Sequence, residues 1–256
     1  MLVTAALVPE TVLLLPGTAG AATVLDPERA AAREAVRRLL AAGPERVLLV
    51  TSPPRSVQDV VLRHPLRSTT TAAGIPDERW SPGGTAAPGT AGPTTATVVG
   101  DPGASVGLAL LAEAGWDGVT DALLVAGAPR DPEALRALGA AATADGATAV
   151  LLLGALSARR GPDAPLPDDP RAPETDEQLE RDLVALDVDA VARLTGQDGT
   201  LAADLAISAW APWQVLVGAA GAAAGGPDGS PLLHGTLLHS AVPLGTTYLV
   251  VHWAPV

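Results

Sequence analysis

Few residues in this chain could do chemistry. The four histidines are His64, His234, His239 and His252, and because lysine and cysteine are absent all 16 basic residues are arginine. His234, His239 and His252 crowd the C-terminus. Side chains alternate faces along an extended strand, so His234 and His239, five apart, point to opposite sides unless a bulge intervenes. At most one of them then shares a face with His252. That spacing permits a two-histidine metal site and not a three-histidine one, against the plainer reading of histidines hydrogen-bonded to backbone or water. His64, before Pro65 in an arginine-containing loop, reads as a solvated side chain.

Other constellations are weaker. Ser157, in GALSARRG, follows an apolar run but lacks the second glycine of a nucleophile elbow, and no acid and histidine follow it in a triad pattern. Arg159 and Arg160 could hold a carboxylate or phosphate by paired hydrogen bonds at the end of a strand; the competing reading is an ion pair with Asp163 or Asp168. Gly100, Asp101, Pro102 and Gly103 lie between a strand and a helix, where backbone N–H groups can meet an anion, but Asp101 repels one and no dinucleotide or P-loop spacing is present. A helix-start turn explains them better, and GTAG at 17–20 is read the same way. Trp210 and Trp213 flank Pro212 in an apolar helix and suit a core or a dimer seam.

The elements that position these residues have clear punctuation. Residues 2–8 and 47–51 are apolar, β-branched runs, and between them Asp26, Pro27 and Glu28 open a helix that Gly43 and Pro44 close, with Asp26 as the expected N-cap. The pattern repeats with a strand at 120–126, a helix opened by Asp131, Pro132 and Glu133, and a strand at 148–153. Helices are expected near Thr175, near Asp187 and from Leu201, and a hairpin over 233–253 turning at Pro243 and Gly245. Residues 81–97 and 161–174, rich in Gly and Pro, read as loops, with Trp80 pinning one end of the first. Apolar strands alternating with amphipathic helices predict an α/β fold: one domain over 1–256, a mixed, mostly parallel central sheet flanked by helices, and a C-terminal β-hairpin.

Composition narrows the partners. A chain of 256 residues can bury roughly 70–75% of its unfolded surface without a disulfide or metal. A formal charge of −12, with 28 acids against 16 bases, argues against nucleic acid. No apolar run is long enough for a membrane span, and the first 22 residues lack the cationic start of a signal peptide, so a cytoplasmic location is expected. Missing Lys, Asn, Phe and Cys fit the codon bias of a GC-rich genome, so the absent cysteine says little about redox compartment.

The order of motifs, an opening strand into VPETVLLLPG, a strand into TSPPR, a strand into GALSARRGPDAP and an acidic helical tail ending in YLVVHWAP, resembles the subunit-B-like (LigB-like) family of class III extradiol ring-cleavage dioxygenases over most of the chain. The resemblance implies an Fe(II) held by two histidines and a glutamate, with another histidine as base. It places the first histidine at Glu10, the second near Pro54 and the base at Ala158, and no Glu follows Glu180. The iron ligands are therefore missing, and a non-catalytic binding or assembly module without cofactor is expected, with Glu10, Pro54, Ser157, Ala158, Arg159 and Arg160 as pocket residues. Two alternatives stay open: a metal-dependent oxygenase with atypical ligands that include Glu10, and a metal-free binder of small anions at Arg159 and Arg160. The partners expected are a small-molecule ligand and, by resemblance, a second copy or a partner subunit.

Overall fold

The computed structural model describes residues 1–20, 22, 24–53, 58–76, 96–223 and 233–255. Pro54 and Trp80 lie outside them, as does most of the loop expected at 81–97. In chain order the elements are β1 (Leu2–Val8), α1 (Asp26–Ala41), β2 (Arg46–Thr51), β3 (Val60–Leu62), β4 (Leu66–Arg67), β5 (Thr97–Val98), α2 (Pro102–Glu113), β6 (Val119–Leu124), α3 (Pro132–Ala142), β7 (Thr148–Leu153), α4 (Ala172–Ala185), α5 (Val188–Gly196), α6 (Gly199–Asp204), α7 (Trp210–Ala223), β8 (Leu233–Ala241) and β9 (Tyr248–Pro255).

A seven-stranded sheet runs β3-β6-β2-β7-β1-β9-β8, and β4 and β5 form a separate pair. The central four strands β6, β2, β7 and β1 are mutually parallel, while β3, β9 and β8 add antiparallel edges. The mostly parallel α/β sheet and the C-terminal hairpin agree with the sequence reading. Strand parity feeds two cores. Leu48, Val50, Val150 and Leu152 face α3 to α7, and Val47, Leu49, Ala149 and Leu151 face α1 and α2. Trp210 and Trp213 are fully buried in the first core.

Two local expectations need correction. Asp26 is the first helical residue of α1 and not its N-cap; Leu25 holds that position in left-handed backbone, with φ 56°, and makes no side-chain cap. Arg29 compensates by donating to the carbonyls of Leu13, Leu14 and Val24, which ties the start of α1 to the short 3₁₀ turn at Val12–Leu14. The strand expected before Gly100 shrinks to the two residues of β5. By contrast, Asp101, Asp131 and Asp187 cap α2, α3 and α5 through their side chains.

Helices α3 and α7 touch backbone to backbone at two glycines. A Cβ on Gly139 would run into the Val215 carbonyl, and one on Gly218 into the Arg136 carbonyl, whereas Gly221 has open space. Overpacking typically costs about 1–3 kcal/mol, so Gly139→Ala and Gly218→Ala should each lower unfolding stability by that order. Gly221→Ala should raise it by about 0.5–1 kcal/mol through helix propensity alone. Urea denaturation of the three variants checks the pattern, and equal effects at all three positions would contradict the close contact.

Candidate functional site

Because β1, β2, β6 and β7 run parallel, the segments that leave them all begin at one edge of the sheet. The chain leaving β1 passes to α1 on one face and that leaving β6 and β7 to α3 and α4 on the other, the arrangement in which α/β proteins keep their ligands. Glu10 lies two residues beyond β1. Burial, the largest influence, pushes its carboxyl up from the ordinary range to about 7; a hydrogen bond with Ser208 opposes the shift and the nearby Asp101 carboxylate adds to it. Ser208 also accepts from the Ala155 N–H at 2.9 Å and so links Glu10 to the end of β7.

Asp101 is buried and accepts from the Ala104 N–H at 2.7 Å. Burial raises its carboxyl too, against the N–H groups of Ala104 and Gly103 and the neighbouring Thr51 hydroxyl. Gly103 allows this crowding: a Cβ there would sit 2.5 Å from Thr51 Oγ1 and 3.3 Å from both Asp101 Oδ1 and Glu10 Cβ. Thr51 is 1% exposed, and although it lies against Asp101 its hydroxyl finds no hydrogen bond of good geometry among the described residues.

Across from the end of β1, Tyr248 opens β9. Burial raises its phenol, a hydrogen bond with Thr11 opposes this, and the charges of Glu10 and Glu28 raise it further. Glu28, in the first turn of α1, is 4% exposed; its Oε1 lies 3.3 Å from His239 Nε2, and its Oε2 has no partner among the described residues. Glu10 thus stands near Asp101 and Tyr248, and Glu28 acts on Tyr248 while bonded to His239. Among the described residues no arginine pairs with any of the three carboxyl groups.

Sequence reasoning singled out Glu10 but missed this company. Asp101 and Glu28 were read only as parts of helix starts. The available signal was confined to Glu28, which opens the helix following β1; Asp101 follows β5 of the separate pair and carried none.

The other expected site residues sit elsewhere. Ser157 is fully buried; its N–H and hydroxyl donate to Asp176 at 3.0 and 2.6 Å, Thr247 donates to the same carboxylate, and Arg160 stands 3.9 Å away. This is a closed structural network. Asp176 escaped notice in an acidic helix, though it falls on the buried stripe of Ala172, Leu179 and Leu183. Arg159 donates to the Pro167 carbonyl at 2.9 Å, and Asp168 accepts from the Gly161 N–H. The expected ion pair of the arginines with Asp163 or Asp168 is replaced by the Arg160–Asp176 approach. Ala158 donates its N–H to the Leu205 carbonyl.

The parity argument for the histidines also needs amendment. A register shift between Leu237 and His239 inserts one residue in β8, so His234, His239 and His252 all fall on the α1 face. They do not converge. His239 is held by Glu28, His234 is exposed, and His252 Nε2 lies 3.1 Å from Thr4 Oγ1. Since that hydroxyl donates to the Trp253 carbonyl, the imidazole must donate to it. Burial, and then the Arg38 charge, lowers the His252 value, in keeping with a neutral ring. His64 is exposed but engaged, its N–H donating to Asp121 at 3.0 Å.

The iron that the resemblance implies does not fit this donor set. A facial iron triad needs imidazoles, and the groups beside Glu10 are carboxyl and hydroxyl oxygens. Among the described residues no cluster of three or more His, Cys, Asp or Glu could hold a metal ion. Two clefts lie away from Glu10 and Asp101. One of about 280 Å³ is lined by Arg46, Arg63 and Asp121, with Arg63 bonded to Asp121 at 2.7 Å, and one of about 240 Å³ lies beside Trp116 and His64.

No family model matches the chain, and no curated protein matches it. Among solved structures it is similar to the uncharacterized protein JW3007 from Escherichia coli K12, with 14% identity, a TM-score of 0.52, and 98% of this chain and 99% of that one covered. At that identity the likeness speaks for the fold alone. No described helix is long and apolar enough to cross a membrane.

A carboxyl raised by folding favours the protonated fold. The destabilisation is absent below the ordinary glutamate range, grows as pH rises toward 7, and is complete above it. Glu10→Gln should therefore leave stability near pH 4 unchanged and raise it near pH 8 by on the order of 2 kcal/mol, a figure reduced for partial solvent access. Denaturation of both proteins at the two pH values checks this, and parallel pH profiles would contradict it.

Proposed function

We propose that the chain is a subunit-B-like relative of the class III extradiol dioxygenases that has lost the iron site and serves as a small-molecule-binding or assembly module. The observation that carries the reading is Glu10, two residues beyond β1, where the resemblance would place a histidine. Its company is Ser208, Asp101 and the Thr51 hydroxyl, all oxygen groups. The motif order of the sequence and the full-length likeness in fold to JW3007 support the architecture, and the functional step rests on the site residues. With its carboxyl near 7, Glu10 is both hydrogen-bond donor and acceptor at neutral pH, a property suited to holding a polar ligand at the strand ends. The arginine-centred anion reading has less support, because Asp176 faces Arg160 and the Pro167 carbonyl accepts from Arg159 Nη1, although Arg159 Nε keeps no partner among the described residues.

The test is anaerobic loading with Fe(II), desalting, metal analysis and a catechol-cleavage assay. The expected result is no stoichiometric iron and no ring-opened product. Retained iron together with product would replace this reading with that of an atypical dioxygenase.

A further inference from the structure

The cleft of about 240 Å³ lies between the segment from His64 to Ser68, helix α2 and the turn that leads from α2 into β6. Part of its lining is apolar, with Leu108, Leu111 and Trp116, and part is polar, with exposed His64, Arg67 and Asp117. Two of the sixteen arginines, Arg55 and Arg79, lie outside the described residues. Of the other fourteen, every one except Arg67 hydrogen-bonds or ion-pairs within the chain. Even Arg46 and Arg63, which line the larger cleft, are held by Thr148, the Ala142 carbonyl and Asp121. The guanidinium without a side-chain partner among the described residues is thus the one beside an indole in a cleft. The walls of that cleft are tied together. The Thr69 N–H donates to Ser105 Oγ on α2 at 3.2 Å, and the His64 N–H to Asp121 on β6 at 3.0 Å. Trp116 Nε1 donates to Thr120 Oγ1 at 3.0 Å, which fixes the ring. The Thr120 N–H donates to His64 Nδ1 at 3.4 Å, so the imidazole carries its proton on Nε2 and can donate from there.

We propose that this cleft, which shares no lining residue with the Glu10 group, binds a small organic carboxylate with a short apolar body. The Arg67 guanidinium matches the two oxygens of a carboxylate with paired N–H donors, and His64 Nε2 supplies one more. Leu108, Leu111 and the Trp116 ring take the hydrocarbon, and burial of apolar area at about 25 cal/mol per Å² favours such an acid over a bare anion. A volume below the roughly 300–1,000 Å³ of sites for drug-sized ligands restricts that body to a few carbons. Asp117 opposes the negative charge, and its exposure leaves water and salt to screen it. Walls already tied together need little ordering when the ligand enters, which keeps the cost of binding low.

Isothermal titration with hexanoate and phenylacetate tests the proposal. Hexanol is the neutral probe and inorganic phosphate the bare anion, and the proteins are the intact chain and its Arg67→Gln, Asp117→Asn and Arg181→Gln variants. Arg181 is an exposed arginine on α4 and controls for the change in net charge. Arg67 is itself exposed and unbonded, so its replacement leaves the fold intact. The expected result is saturable carboxylate binding with a Kd of about 1 mM or tighter, weakened roughly tenfold by Arg67→Gln and unchanged by Arg181→Gln. Asp117→Asn should tighten it or leave it unchanged. No saturable binding of either carboxylate, equal binding of hexanol, tighter binding of phosphate, equal loss in Arg67→Gln and Arg181→Gln, or weaker binding in Asp117→Asn would each overturn it. The Fe(II) assay reads the Glu10 edge, so its outcome and this one are independent.

Discussion

The parallel register of β1, β7, β2 and β6 is the constraint on which the rest of the structure depends. Val8 lies opposite Leu153 and Thr51 opposite Leu124, so the chain leaves each strand at the same edge. Residues 10, 51, 101 and 208 are remote in sequence and could not meet without it. The same register settles the packing, because alternate side chains of every central strand must supply two cores, and both are completed by helices on opposite faces. Gly103, Gly139 and Gly218 occur where those helices press on the sheet or on each other more closely than a side chain allows.

Charge is distributed unevenly over this frame. Asp59, held by Arg130, has its carboxyl lowered, while half-buried Glu10 and buried Asp101, without an arginine, are raised. The same chemical group is pushed in opposite directions within one molecule, and the difference is the presence of a guanidinium. Several acids at loops and helix ends are paired with arginine, Asp169 with Arg171 and Asp182 with Arg193 among them. At the strand ends Glu28 meets His239, while Glu10 and Asp101 have only hydroxyl and N–H neighbours.

Much of the fold was legible because local rules and tertiary demands agree. Residues 2–8 and 148–153 are apolar runs with no competing period and became β1 and β7 with those boundaries, Asp131 opened its helix as expected, and the helix expected near Asp187 begins there. The sequence reading failed where one residue of geometry mattered. Leu25 took the left-handed turn that displaced Asp26, and the extra residue at Leu237 to His239 reversed the facing of the hairpin histidines without a Gly or Pro to announce it. Of the site, Glu10 was visible from its place after the first strand. Asp101, Glu28 and Tyr248 were not, since their relevance comes only from the sheet bringing three helix and strand ends together. The arginine pair misled because its true counter-charge, Asp176, lies beyond the acidic loop that seemed to offer nearer partners.

Glu10 sits half-buried at this edge with no arginine beside it among the described residues. Carbon-detected NMR titration of the side-chain carboxyl groups, with the Glu10 resonance assigned by its loss in Glu10→Gln, measures that directly. The account expects a midpoint of about 7 for Glu10 in the unliganded protein. A midpoint in the ordinary glutamate range, about 4.3, would contradict it.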